Sequence, residues 1–233
     1  RAFAAGGDAR EFDGEPMPPH LPDVFDAIEA CPVPWIAAAH GVALGGGAEL
    51  MLACRYRIAA PGTRIGLPEV TLGVVPGAGG TQRLPRLVGL AAAVDMIATG
   101  KPVTVDDAYE MGLVDAVADD PVAHALALDV SELAARSALS ALDGPEPDAA
   151  AIDKARASVA RRMRGQVAPQ KAIDLVALSA SEPFADALRQ ERETFIALRT
   201  TDQARALRHI FFAERAARTP DWLDAEPKEV KSA

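Results

Sequence analysis

Three consecutive glycines followed one residue later by a carboxylate, Gly45-Gly46-Gly47-Ala48-Glu49, constrain this chain to folds with a tight strand-to-helix turn. The preceding Trp35-Ile36-Ala37-Ala38-Ala39 is long enough for a buried strand, and Glu49-Leu50-Met51-Leu52-Ala53-Cys54 reads as an apolar helix. Free N–H groups at a helix start carry partial positive charge, and glycine lets a ligand oxygen approach the backbone without meeting a Cβ. An oxyanion fits there, although turns of this kind also serve packing alone. Two phosphate-loop readings fail on the residues. The run is not G-x-G-x-x-G, Gly77-Ala78-Gly79-Gly80-Thr81-Gln82 has Gln82 where the third glycine would fall, and no G-x-x-x-x-G-K-[ST] occurs.

With 233 residues, 49% of them hydrophobic, there is apolar material for one sizeable core, or a core with an attached helical layer. A net charge of -9 argues against a nucleic-acid partner and an anionic membrane surface. Residues 31–48 lack Asp, Glu, Lys and Arg, but prolines, glycines and His40 interrupt them, so no membrane span is expected. Cys31 and Cys54 lack zinc or CxxC spacing and read as reduced core residues of a cytoplasmic protein. No metal site is expected, because His20, His124 and His209 show no ligand spacing. No G-x-S-x-G elbow accompanies His40, which reads as structural.

Residues 13–20 form a stiff proline-rich loop leading into a short helix. Arg57-Ile58-Ala59-Ala60 and Arg64-Ile65-Gly66 read as strand pieces around the Pro61-Gly62 turn. A helix over 90–99 ends at Gly100, Thr104 and Asp107 start another that closes at Gly112, and a strand follows over 113–117. After Gly144-Pro145-Glu146-Pro147 the pattern is helical only. Asp148 caps a helix with Ile152, Val159 and Met163 on one face, and Pro169 opens the next, with Ile173, Val176 and Ala180. Phe184, Leu188, Glu191, Phe195 and Leu198 follow at helical spacing, then Leu207, Ile210 and Phe211; both stripes read as core. Arg161, Arg162 and Arg164 complement a helix C-terminus.

Three motifs in order, Arg1-Ala2-Phe3-Ala4-Ala5-Gly6-Gly7-Asp8, His40-Gly41-Val42-Ala43-Leu44-Gly45-Gly46-Gly47-Ala48-Glu49 and Pro68-Glu69-Val70-Thr71-Leu72-Gly73-Val74-Val75-Pro76-Gly77-Ala78-Gly79-Gly80-Thr81-Gln82-Arg83-Leu84, resemble the enoyl-CoA hydratase/isomerase (crotonase) family. The resemblance implies an α/β fold, a crotonase-like spiral of ββα turns whose first turns are missing here. Residues 1–118 are then the catalytic core and 119–233 a helical extension and connecting segment, folded back over the spiral. Ala206-Leu207-Arg208-His209-Ile210-Phe211-Phe212-Ala213-Glu214-Arg215 resembles the connection of multifunctional β-oxidation enzymes. Their 3-hydroxyacyl-CoA dehydrogenase half would begin near Lys231-Ser232-Ala233, so no NAD cofactor is expected in this chain; a dehydrogenase half and a thiolase subunit are the implied partners.

The resemblance also implies the site. A thioester oxygen of an acyl-CoA would lie between the N–H groups of Gly7 and Gly46, lined by Ala5, Asp8, Gly45, Pro68 and Gly77, with Glu49 and Glu69 as the catalytic acids. Coenzyme A is then part of the substrate and no separate cofactor is needed. Paired carboxylates suit reversible hydration of a trans-2-enoyl-CoA, one as base towards water and the other exchanging the α-carbon proton. Double-bond isomerisation, needing one carboxylate, and a noncatalytic acyl-CoA binding module are the alternatives.

Overall fold

The computed structural model describes residues 2–15 and 17–218, so the expectation for Lys231-Ser232-Ala233 lies outside the described residues. Among the described residues there are six short strands: β1 (Ile36–Ala39), β2 (Val42–Leu44), β3 (Tyr56–Ala59), β4 (Arg64–Gly66), β5 (Val103–Thr104) and β6 (Ala116–Val117). They form two three-stranded sheets, ordered β1-β3-β6 and β2-β4-β5. The first is parallel throughout, with Ile36 opposite Tyr56 and Ile58 opposite Ala116. In the second, β2 and β4 are parallel and β4 and β5 antiparallel. Successive strands step from the first sheet to the second, β1 to β2 and again β3 to β4. Each pair then leads into helical structure, which is the ββα repeat of a spiral. Ala4 extends the second sheet through a parallel bridge to Ala43.

The helices are α1 (Leu21–Ala30), α2 (Gly46–Ala53), α3 (Gly80–Val88), α4 (Leu90–Thr99), α5 (Val105–Glu110), α6 (Pro121–Leu126), α7 (Val130–Ala135), α8 (Ala149–Arg162), α9 (Ala168–Leu178), α10 (Phe184–Arg199) and α11 (Asp202–Arg218). Two 3-10 turns matter for the site, Ala9–Asp13 and Glu69–Leu72. Both α2 and α4 are apolar on most sides and sit in the core: Met51 and Leu52, and Val94 and Ile97, are almost fully enclosed. The start of α5 carries the reciprocal cap foreseen from Thr104 and Asp107. Among the described residues, no helix is long and apolar enough to cross a membrane.

Several boundaries differ from the sequence reading. Strand β2 stands between β1 and the glycine turn, and the helix begins at Gly46, so two of the three glycines are already helical. The strand over 113–117 shrinks to Ala116–Val117, because the N–H groups of Leu113 and Val114 both turn back to the Ala108 carbonyl at 2.7 and 3.2 Å. The helix-only part of the chain begins with α6, well before Gly144. Ile210 and Phe211 are exposed, and α11 buries Ala204 and Arg208 instead. Arg208 is buried because its Nη2 donates to Asp13 Oδ1 at 2.8 Å while its guanidinium lies over the Phe12 ring.

The last two helices pack onto the site-bearing turns. Phe195 of α10 meets Phe12 edge to face at 5.5 Å, and Arg205 joins Arg208 on Asp13. Arg83, fully buried on α3, is held by Glu29 at 2.7 Å and Asp26 at 3.1 Å on α1. Arg57 is equally enclosed and pairs with Asp115 at 2.8 Å, tying β3 to the approach of β6. Removing one partner of such a pair costs about 3–5 kcal/mol, because the other charge stays buried and unpaired.

Gly73 closes the 3-10 turn after Glu69 with φ at +77°, and a Cβ there would lie 2.6 Å from Ala204 Cα of α11. Gly73→Ala should therefore lower unfolding free energy by about 2 kcal/mol or more through strain and displacement of α11. Chemical denaturation checks this; an unchanged midpoint would show that α11 does not bear on the turn.

Candidate active site

Two glycine turns are brought together by the sheet. The Leu44 N–H donates to the Ala4 carbonyl at 2.9 Å, which sets the segment carrying Gly6 and Gly7 beside Gly45 and Gly46. The approach is close: a Cβ on Gly6 would stand 3.3 Å from Gly46 N, and one on Gly46 3.8 Å from Gly7 N. Gly45 takes φ +55° and ψ -129°, a backbone shape that only glycine adopts without strain. As the first residue of α2, Gly46 carries one of the free donors of a helix start. Neither its N–H nor that of Gly7 donates to an acceptor among the described residues.

Glu49 lies one turn into α2 and is buried. Its Oε1 accepts from the N–H of Ala78 at 2.8 Å and of Gly80 at 2.9 Å, in the turn that opens α3. Glu69 is buried at the start of its 3-10 turn, with Oε1 3.1 Å from the position of a Cβ on Gly45. Its Oε2 is buried with no hydrogen-bond partner among the described residues. An ionised oxygen in that position would be costly.

A third carboxylate completes the group. Glu191 of α10 is fully buried; its Oε1 accepts from Gly79 N at 2.6 Å, and its Oε2 from Thr81 N at 2.8 Å and Thr81 Oγ1 at 2.5 Å. Gln82 Nε2 donates to the same Thr81 oxygen at 2.9 Å, which directs the Thr81 hydroxyl proton to Glu191. Sequence reading placed Glu191 in an apolar stripe and passed over it. The signal was there, since an acid on the buried face of a helix demands partners.

Crowding and burial raise all three acids. Burial comes first for Glu69, whose carboxyl is held well above the usual range, and the charges of Glu49 and Glu191 add to it. Burial also raises Glu49, opposed by the donors at Ala78 and Gly80 and the charges of Arg83 and Arg192. Glu191 is pushed up to about 8, by burial first and Glu49 second, against its own three donors. Glu69 has the fewest compensating donors, so burial and its neighbours favour its protonated form with the least opposition.

The remaining sequence candidates divide. Ala5, Gly7 and Asp8 lie on an exposed turn, where Asp8 caps the Ala9–Asp13 turn through Arg10 N. Pro68 caps the turn that carries Glu69. Gly77 has a packing function, because a Cβ there would meet the Phe195 ring at 2.6 Å. His40 is exposed, away from the carboxylates' hydrogen bonds. Two shallow cavities of about 140 and 280 Å³ border α4 and α8 and touch none of the three acids.

The enoyl-CoA hydratase/isomerase family profile matches residues 1–144. The chain is 41% identical to the peroxisomal bifunctional enzyme of Danio rerio, over 99% of this chain and 34% of that protein. It is 38% identical to the fatty acid oxidation complex subunit alpha of Shewanella loihica, over 98% of this chain and 34% of that subunit. The chain thus spans about a third of the length of these curated relatives. Its fold is similar to that of an enoyl-CoA hydratase/isomerase from Pseudoalteromonas atlantica, with a TM-score of 0.64 at 23% identity over 91% of this chain and 75% of that one. With the spiral of ββα turns, the paired glycine turns and a family profile covering more than half its residues, the chain belongs to the enoyl-CoA hydratase/isomerase family.

Proposed function

We propose that this chain catalyses the reversible hydration of a trans-2-enoyl-CoA to a 3-hydroxyacyl-CoA in fatty acid β-oxidation. The observation that carries the reading is the meeting of two buried acids, Glu49 and Glu69, beside the facing turns of Gly7 and Gly46. The thioester oxygen accepts from those two N–H groups. Negative charge grows on it as the enolate forms, so fixed donors stabilise the transition state more than the ground state. Losing one such donor costs on the order of 3 kcal/mol.

The carboxylates divide the proton work by environment. Glu49, steadied by two N–H donors and nearby guanidinium charge, is the base. It takes a proton from water as the water oxygen bonds to the β-carbon. Glu69, held protonated by burial and its neighbours, gives its proton to the α-carbon. The sum is addition of H and OH across the double bond, and Glu49 then returns its proton to Glu69 through solvent.

Double-bond isomerisation is a second reading favoured by one observation, the unpartnered Oε2 of Glu69, which in the ionised form suits a single carboxylate that takes a proton from one of the α- and γ-carbons and returns it to the other. The dehydrogenase half and thiolase partner belong to the same proposal, supported by relatives named as a bifunctional enzyme and a complex subunit. This chain alone should carry out no nicotinamide-dependent oxidation, since its glycine turns lack the G-x-G-x-x-G spacing. A cytoplasmic place of action belongs to the same proposal, supported by Cys31 and Cys54, which form no disulfide.

In the full-length protein, Glu49→Gln and Glu69→Gln should fold and each lose about 10²-fold or more in crotonyl-CoA hydration. The double variant should lose much less than the product of the two, because both acids serve one water. Undiminished hydration in either single variant would overturn the two-acid mechanism. Loss of hydration with isomerisation intact in Glu49→Gln would favour the isomerase reading.

The rate should also depend on pH with a defined sign. Glu69 must be protonated, so activity should fall as pH rises through its raised value, and Glu49 must be ionised, so activity should fall below its own, itself above the ordinary carboxylate range. A pH profile of kcat/KM measures both limbs. A basic limb that survives in the residual activity of Glu69→Gln would remove Glu69 as the acid.

A further inference from the structure

Four consecutive N–H groups, at residues 78–81, are captured alternately by two acids from different helices. Glu49 on α2 takes Ala78 and Gly80, and Glu191 on α10 takes Gly79 and Thr81. Alternate amides of one short turn are thus held by carboxylates from two different helices. Glu191 comes from a helix more than a hundred residues along the chain, outside the motifs that carry the family resemblance.

We propose that Glu191 is a positioning residue for hydration: it fixes the turn 78–81 so that the Ala78 and Gly80 N–H groups orient the Glu49 carboxylate, and its charge adds to the field at Glu69. This rests on the hydration reading above. Without Glu191, Gly79 N, Thr81 N and the Thr81 hydroxyl lose their buried acceptor, and the turn must re-form to satisfy them. The N–H pair serving Glu49 lies between those donors in sequence and must move with them. Replacement by Gln does not restore the arrangement, because an amide NH₂ would face either the Thr81 donors or the Gly79 N–H.

The charge has a separate consequence. The charged and titratable groups facing Glu191 are Glu49 on α2, Glu69 in its 3-10 turn, Arg83 on α3 and Arg192 on α10 itself. Once Glu191 ionises, as pH rises through about 8, its negative charge is one of the two like charges that keep the Glu69 proton in place, and replacing it withdraws that support. Glu69 then loses its proton at lower pH, and the basic limb of the rate profile moves down. A wall residue with no electrostatic part in the site would not move that limb.

The test is the pH profile of crotonyl-CoA hydration by the full-length protein, comparing wild type with Glu191→Gln, Thr81→Val and Thr81→Ser. Glu191→Gln should lower kcat about 10- to 100-fold while KM stays within about threefold, and shift the basic limb to lower pH. Thr81→Val removes one donor from Glu191, raises that acid further and leaves it less ionised, so it should shift the limb the same way by less. Thr81→Ser, which keeps the hydroxyl, should match wild type. A folded Glu191→Gln with unchanged kcat, or with reduced kcat and an unmoved limb, would overturn the proposal. If Glu191→Gln does not fold, Thr81→Val decides: a shifted limb supports the assignment and an unmoved one overturns it. A wild type without hydration would count against the proposed function and this inference together, whereas an active wild type beside an unaltered Glu191→Gln would count against the inference alone.

Discussion

The site depends on one short turn, residues 78–81, whose backbone donors are shared between two buried carboxylates. The turn opens α3, where free N–H groups are available in any helix. Its position is fixed from several directions. Arg83 donates back to the Ala78 carbonyl at 2.9 Å while pairing with Glu29 on α1, Glu49 grips from α2, and Glu191 and Phe195 close over it from α10. The geometry of Glu49 thus reflects the packing of four helices, and the C-terminal layer is part of the site as well as its cover.

Gathering three acids in one dry volume opposes stability. A carboxyl raised by the fold contributes stability fully present below its unfolded value and lost as pH rises through its folded value. For Glu191 that window runs from its ordinary 4.5 up to about 8, and Glu69, also raised well above its ordinary value, loses stability in the same direction. The rest of the molecule offsets this cost with an apolar core and with pairs such as Arg57 and Asp115. Charge is concentrated at the three acids, where the proposed proton transfer would draw on it.

Much of this was legible in the chain. The glycine run and its carboxylate specified a turn against a helix, Thr104 and Asp107 specified a cap, and Leu90 to Gly100 gave a helix with its end, because each rests on local chemistry. The three motifs gave the family and, through it, Glu49 and Glu69 as the candidate acids. What local patterns could not give was partnership across the fold. Leu207, Ile210 and Phe211 read as a core stripe, yet Ile210 and Phe211 face outward and the buried residue of that stretch is Arg208, held on Asp13 nearly two hundred residues away. Glu191 kept helical spacing with its apolar neighbours, so periodicity placed it on the buried face while concealing the amides that wait for it on α3. Strand β2, three residues long between a Gly41 turn and a Gly45 turn, has too few residues to show a period.

The central claim is that the three acids do not all ionise together at neutral pH and that Glu69 is the last to lose its proton. Carboxyl-carbon NMR of protein labelled at glutamate, followed through a pH titration, reads this without reference to turnover. A signal of a protonated carboxyl should persist at pH 7, disappear last as pH rises, and be missing from Glu69→Gln. Glutamate carboxyls that are all ionised at pH 7 would contradict the account.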